Sequence, residues 1–268
     1  KVFLKILFWI WGYFYQVYIL KSFFLKYKLD RLLVINGGHP GGDACLSAVI
    51  AWGKLYPRNL AWYNFHNFVK PESKSSLRRL KGRVIDRCVS KYSKGFLTVS
   101  SSCLDSLNNR PSLNVKNKKF IYNGIHTVKL NNGFDLKAEL SIDNEAQIVL
   151  MLGVYEPRKG HSFIIDVMEK VVSKNPLAHL LIFGDGSEQE INFVKCLKMQ
   201  SKVTGNIHIY KHRDISDLLP QTDVLVVPSQ EYESFGYTAL EGMYSKIPVV
   251  VTNVGGLPEV VEDICVVT

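Results

Sequence analysis

Three segments in the second half of the chain combine glycine with charged residues in ways that could hold an anion and a polyhydroxylated ligand. The first is Gly153-Val154-Tyr155-Glu156-Pro157-Arg158-Lys159-Gly160, between an apolar run and a helix-like stretch. A helix start presents free backbone N–H groups and the positive end of the helix dipole, which favour an anion. Arg158 and Lys159 stand just before that start, and an arginine can grip a diphosphate bidentately. An ordinary basic turn would read the same way. The second, Gly184-Asp185-Gly186, follows the next apolar run. Its glycines allow close approach of backbone to ligand, but a plain tight turn fits equally well, and the G-x-G-x-x-G spacing is absent.

The third segment runs from Pro228 to Gly242 and contains Glu233-Ser234-Phe235-Gly236 and Glu241. Glu233 is read in the turn after a strand, with Ser234 or Glu233 capping a helix that carries Glu241. Eight residues at ~100° each bring Glu241 to within roughly 80° of Glu233 around that axis. Two carboxylates there can accept hydrogen bonds from sugar and ribose hydroxyls. A cap plus one solvated helix glutamate is the plainer alternative. In the first half, His66 ends a strand in Phe65-His66-Asn67, a place where a histidine is either structural or a ligand contact. No Walker-type phosphate loop and no Cys/His spacing suited to zinc occurs, so no metal site is expected.

The elements that must position these residues alternate strand, glycine-marked turn and helix, the pattern of α/β folds with parallel sheets. In the first half, strands are predicted at 32–36, 61–65, 96–100 and 119–122, with helices near 43–55, 74–92 and 101–108. The polar stretch 126–146 reads as a connection. Beyond it, strands are predicted at 147–152, 179–183, 206–210, 223–227, 248–251 and 264–267. Their helices lie at 160–174, 187–203, 214–219, 235–245 and 257–261. Six strands in this order make a nearly complete doubly wound domain, in which ligands bind outside the carboxyl ends of the strands.

Composition agrees with a globular chain: 47% of the 268 residues are apolar and 21% charged. The five cysteines are widely spaced and read as reduced. The net charge of +9 hides a split. Residues 1–125 carry 21 Lys+Arg against 5 Asp+Glu, and residues 126–268 carry 12 against 19. Lys70, Lys74, Arg78, Arg79, Lys81, Arg83 and Arg87 crowd one region against Glu72 and Asp86 only. That region is either a solvated helix face or a docking surface for an anionic membrane; no recognised nucleic-acid motif accompanies the charge. Between Ile6 and Leu20 only Gly12 and Gln16 interrupt an apolar, aromatic-rich run, too short for the ~20 residues of a spanning helix. A buried or interface-lying helix is expected there, with a membrane anchor as the alternative.

Taken together, the motifs resemble the retaining glycosyltransferases of family 4, which have the type B fold of two Rossmann-like domains facing a cleft. The resemblance rests on the E-x7-E pair Glu233 and Glu241, Pro157-Arg158-Lys159-Gly160, Gly184-Asp185-Gly186, Thr222-Asp223-Val224 through Pro228-Ser229, Val254 to Glu259, and Tyr122-Asn123-Gly124-Ile125. These stand in order over residues 95–268. It implies an acceptor-side domain at 1–125 and a nucleotide-sugar donor domain at 126–268. It implies a chain lacking the first part of the acceptor domain and the final helices. It also implies transfer from a nucleotide-diphosphate sugar to a sugar or lipid-linked acceptor, with no cofactor or metal. Such a reaction suits envelope polysaccharide or glycolipid synthesis, in the cytoplasm or on the inner membrane face.

By the same resemblance, Glu233 binds the donor sugar, Glu241 the ribose, and Lys159 with Arg158 the departing diphosphate. Backbone N–H groups of Ser234, Phe235 and Gly236 add to the anion site, and His66 contacts the acceptor or sugar. One departure stands out: Gly153-Val154 replaces the Gly-Arg of many relatives, so one phosphate-binding cation is missing from its usual place. A catalytically inactive fragment that binds sugar nucleotides or serves as an interaction domain is the alternative.

Overall fold

Short apolar runs separated by amphipathic stretches bury themselves here as two parallel sheets, each in its own compact unit, 1–123 and 124–268. The computed structural model describes the backbone of residues 2–262 and 266–267 and the side chains of 12–262.

The first unit opens with helix α1 (Val2–Tyr27), whose Tyr13, Val17, Leu20 and Phe24 face the core at helical spacing. Its other face exposes Phe14, Tyr15, Tyr18, Ile19 and Phe23. The start of the predicted apolar run, residues 6–11, lies outside the described side chains. No helix among the described residues is long and apolar enough to cross a membrane. There follow β1 (Leu33–Asn36), α2 (Asp43–Leu55), β2 (Ala61–Phe65), α3 (Ser76–Tyr92), β3 (Ser93–Thr98), α4 (Ser101–Asp105) and β4 (Lys118–Phe120), with sheet order β1-β2-β3-β4. Trp52, Tyr63, Phe65 and Phe96 fill the core. The helix predicted at 101–108 breaks after one turn, continuing as a 3₁₀ turn at Ser106–Asn109 where the Ser106 hydroxyl donates to the Cys103 carbonyl at 2.6 Å. Helix α3 is fixed through Asp86, which is fully buried between His39 Nε2 at 2.8 Å and Arg110 Nε at 2.9 Å.

In the second unit, the stretch expected to be a bare connection contains a short helix, α5 (Leu136–Leu140). Leu136, Ile142 and Ala146 are buried in the core beneath it, and Asp135 caps it by accepting from the Ala138 N–H at 2.9 Å. Five residues make too little of a helical period to stand out in a polar sequence. Six strands then alternate with helices: β5 (Gln147–Leu152), α6 (His161–Lys174), β6 (Ala178–Gly184), α7 (Glu188–Gln200), β7 (Ile207–Lys211), α8 (Ile215–Leu218), β8 (Val224–Val227), α9 (Tyr237–Tyr244), β9 (Val249–Thr252), α10 (Leu257–Val261) and β10 (Val266–Val267). The expected strand at 264–267 falls partly on residues outside the description, and its observed part pairs parallel to β9.

The sheet order is β10-β9-β8-β5-β6-β7. Strands therefore add outward from β5 in one direction, and then from β8 in the other. The order reverses between β5 and β8, and at such a switch point two neighbouring turns diverge to opposite faces and leave a crevice above the strand ends.

Candidate functional site

Strands β9, β8 and β5 are neighbours, so the turns that leave their carboxyl ends must lie side by side. The turn after β5 closes as a 3₁₀ turn, Pro157–Lys159, ending on Gly160 at φ 82°. A side chain at Gly160 would be strained by that φ, and its Cβ would meet the Pro228 carbonyl oxygen at 1.9 Å. The Gln230 N–H donates to the Arg158 carbonyl at 2.8 Å, tying the β5 and β8 turns together. The Gly256 N–H donates to the Glu233 carbonyl at 2.7 Å, tying in the β9 turn.

These ties bring together six side chains from two turns, Glu156, Arg158 and Lys159 after β5 and Ser229, Tyr232 and Glu233 after β8. Lys159 Nζ donates to Glu233 Oε2 at 2.5 Å, and the Ser229 hydroxyl donates to the same oxygen at 3.1 Å. Arg158 Nη1 stands 3.9 Å from that oxygen, its Nε pairs with Glu156 at 2.5 Å, and its guanidinium lies 5.1 Å from the centre of the Tyr232 ring. The Lys159 and Glu233 side chains are only 17% and 15% exposed, so the pair is largely withdrawn from solvent. Two cations and two carboxylates, Glu233 shared by both cations and Glu156 on Arg158, thus meet over the switch point. An anion entering there would find Lys159 and Arg158 already oriented, and a hydroxyl would find Glu233.

Glu241, on α9, lies in a different environment. It lines a 420 Å³ cavity at the carboxyl ends of β5, β6 and β7, with Gly153, Val154, Gly184, Asp185, Arg213 and Thr238 among its walls. A second cavity of 620 Å³ shares Glu241, Asp214 and Ile215 and reaches Gly124–Lys129 and Tyr237. Glu233 lines neither cavity. Burial pushes the Glu241 carboxyl up from its ordinary value, because the walls withhold water from it. The stem of Lys159 passes within 4 Å of where a Gly153 Cβ would stand, which sets the ion pair beside the first cavity.

The expectation for the start of α9 needs correction. Helix α9 begins at Tyr237, and its cap is Gly236 in the left-handed conformation at φ 95°, without a side-chain cap bond. Neither Ser234 nor Glu233 caps it, because Glu233 is committed to Lys159 and the turn stays non-helical through Gly236. The wheel angle between Glu233 and Glu241 therefore does not apply. Phe235 is buried, 5% exposed, as the side chain that plugs the turn into the core. Gly184 lines the cavity and also admits the Gly153 carbonyl oxygen, which a Cβ there would meet at 1.7 Å; Asp185 and Gly186 beyond it are exposed. Val154 opens onto the cavity with 38% exposure, so its apolar side chain lies against the site. His66 belongs to the first unit, following β2, where its backbone N–H donates to the Asn36 carbonyl at 2.8 Å. Among the described residues no cluster of three His, Cys, Asp or Glu side chains is placed to hold a metal ion.

His212, Arg213, Asp214 and Ile215 were not singled out by sequence reasoning, yet they wall the cavity with Glu241. The signal was positional: they follow the carboxyl end of β7, where ligand-binding turns occur. Arg213 is held by Glu139 at 2.7 Å and over the Phe134 ring at 4.5 Å, so the unforeseen helix α5 positions a cavity wall.

With this geometry in hand, the comparison with known proteins is direct. Residues 134–264 match the sequence model of the family described as glycosyl transferases group 1. That span covers nearly all of the second unit. The uncharacterized glycosyltransferase MJ1607 of Methanocaldococcus jannaschii is 30% identical over 177 residues, which are 62% of this chain and 44% of that protein. The N-acetyl-alpha-D-glucosaminyl L-malate synthase of Bacillus anthracis is 30% identical over 129 residues, 47% of this chain and 32% of that one. The chain thus spans less than half the length of these relatives. Among solved structures, Anabaena Alr3699/HepE in complex with UDP and glucose superposes with a TM-score of 0.69 at 22% identity, over 84% of this chain and 61% of that one. A glycosyltransferase from Rickettsia africae gives 0.71 at 20% identity, over 92% and 64%. The fold is the Rossmann-like, two-sheet α/β fold of type B glycosyltransferases, and the matches to the family and its relatives support a glycosyltransferase.

Proposed function

We propose that the chain transfers a sugar from a nucleotide-diphosphate sugar to an acceptor hydroxyl with retention of anomeric configuration, as in family 4, and without a metal or other cofactor. The observation that carries this reading is the meeting of Lys159, Arg158 and Glu233 over the switch point of the donor-side sheet, beside the cavity that Glu241 lines. UDP and UDP-glucose are the ligands of the Anabaena neighbour, which supports a nucleotide sugar as donor.

In this mechanism the diphosphate displaces Glu233 from Lys159 and lies between Lys159 and Arg158. Glu233, freed, accepts from hydroxyls of the donor sugar, and Glu241 accepts from the ribose. The bond from the anomeric carbon to the diphosphate oxygen breaks as the acceptor oxygen attacks the same face. The acceptor proton passes to the departing phosphate oxygen. The protein supplies position and positive charge, which act where negative charge grows on the leaving group. We assign His66 to contact with the acceptor or sugar, on the family resemblance.

We further assign the acceptor to envelope polysaccharide or glycolipid and the reaction to the cytoplasm, which suits the basic character of residues 1–125. The test is incubation of the chain with a panel of uridine, guanosine and adenosine diphosphate sugars, with release of the nucleoside diphosphate and the product anomer read by NMR. Turnover with retained configuration supports the proposal. Tight nucleotide binding with no turnover against any acceptor or water would favour the inactive, sugar-nucleotide-binding reading, to which Val154 in place of a cationic residue lends weight.

A further inference from the structure

Helix α3 carries the densest basic cluster of the chain, and the structure shows how it is held. Its second half is anchored by buried Asp86 and Val89 and by Gly82, which packs against Arg110 so closely that a Cβ there would meet the guanidinium at 2.5 Å. Its first turns are different. Every residue from Lys74 to Lys81 is exposed, so this end of the helix stands out from the body of the first unit.

The exposed part is not uniformly polar. Leu77 is 72% exposed, Leu80 63% and Val84 51%. At 100° per residue these three positions fall within about 60° of arc, a single apolar stripe. Lys81 and Arg87 flank the stripe on either side, within about 70° of its centre, and Lys74, Arg78 and Arg79 surround the helix start. The acids of this region do little to offset them: Asp86 is buried with His39 and Arg110, and Glu72 binds Arg83 bidentately at 2.9 Å. A helix face kept only for solvation has no use for an aliphatic stripe in its middle. A surface that lies in a bilayer interface needs both, apolar side chains to enter the acyl boundary and cations to meet the headgroups.

We propose that the first half of α3, through Leu77, Leu80 and Val84 ringed by Lys74, Arg78, Arg79, Lys81 and Arg87, docks on an anionic lipid surface. This surface belongs to the first unit alone, so docking there is independent of sugar transfer by the second. Lipid binding without turnover, or turnover without lipid binding, would separate the two.

The experiment is flotation of the 268-residue chain with phosphatidylcholine vesicles, with and without phosphatidylglycerol. The chain is expected to float with the anionic vesicles only and to be released by high salt. Arg78→Glu/Arg79→Glu should weaken partitioning on the order of 10–100-fold. Leu77→Ser/Leu80→Ser, which leaves every charge in place, should weaken it on the order of 10-fold. These side chains are exposed, so matched thermal melts confirm that the variants fold. Hydrogen exchange of residues 76–84 should slow on the anionic vesicles. Absence of anionic-vesicle binding overturns the proposal. So does a leucine variant that floats as well as the parent, since the surface would then be a charge patch that any polyanion, nucleic acid included, could satisfy. Unchanged exchange at 76–84 would also overturn it.

Discussion

Replacing Lys159 by methionine keeps the length and apolar stem of the side chain while removing the ammonium that Glu233 holds at 2.5 Å. Glu233 would then keep the Ser229 hydroxyl at 3.1 Å, with the nearest remaining cation, Arg158, at 3.9 Å. Breaking a fully buried pair costs about 3–5 kcal/mol, and an exposed one about 0–1 kcal/mol. At 17% and 15% exposure, and with Arg158 able to move in, this pair falls between, at about 1–2 kcal/mol. A urea titration of Lys159→Met, Glu233→Gln and the double variant isolates the coupling. The expected coupling is about 1–2 kcal/mol, with the double variant no less stable than Lys159→Met. The same substitution removes a cation from the departing diphosphate. Loss of one preorganised charge contact costs roughly 10²–10³ in kcat. Lys159→Met should therefore lose turnover by that factor while donor affinity changes less. Zero coupling together with undiminished turnover would refute both the energetic and the chemical argument.

Other outcomes follow from the same geometry. Gly160→Ala forces a Cβ into a φ of 82° and to 1.9 Å from the Pro228 carbonyl, so it should destabilise the second unit by about 2–4 kcal/mol in urea unfolding. His161 is 2% exposed against Tyr155, and burial, helped by nearby Lys159, holds its pKa down at about 4 against an ordinary 6.5. A depressed histidine is neutral in the folded chain, so its contribution to stability is present above pH 6.5 and lost as the pH falls towards about 4. His161→Phe should flatten that acid limb by on the order of 2 kcal/mol, measured by urea midpoints across the interval. Val154→Arg places a cation at the wall shared with Asp185 and Glu241 and should tighten nucleoside diphosphate binding about 10-fold by calorimetry. Because burial raises the Glu241 carboxyl, nucleotide affinity should fall on acidification at a pH above 4.5, and Glu241→Gln should remove that dependence.

Much of this fold could be read in advance because buried parallel strands are written as short apolar runs closed by glycine. Residues 61–65 and 147–152, one strand from each sheet, and 257–261, the last helix, were located to the residue. What escaped was written in no periodic pattern. Helix α5 is too short to show one, and α9 starts late because Gly236 takes a left-handed φ that propensity does not announce. The cations and acids of the site were visible as residue types at turns. Their meeting was not, since Lys159 and Glu233 are 74 residues apart and touch only because β5 and β8 are neighbours. The buried contacts of Asp86 with His39 and Arg110 span 47 and 24 residues and left no local trace either.

The central claim is that the cations above β5 and β8, with the adjoining cavity, form a nucleoside diphosphate site. Its most direct test is the thermal unfolding of the chain with UDP, GDP and ADP in turn, for the parent and for Lys159→Met. The account predicts that at least one of them stabilises the second unit, by about 2.7 kcal/mol at a hundredfold excess over Kd, and stabilises Lys159→Met less at equal concentration. If none of the three moves the transition of the parent at millimolar concentration, the site does not bind nucleoside diphosphates and the account is wrong.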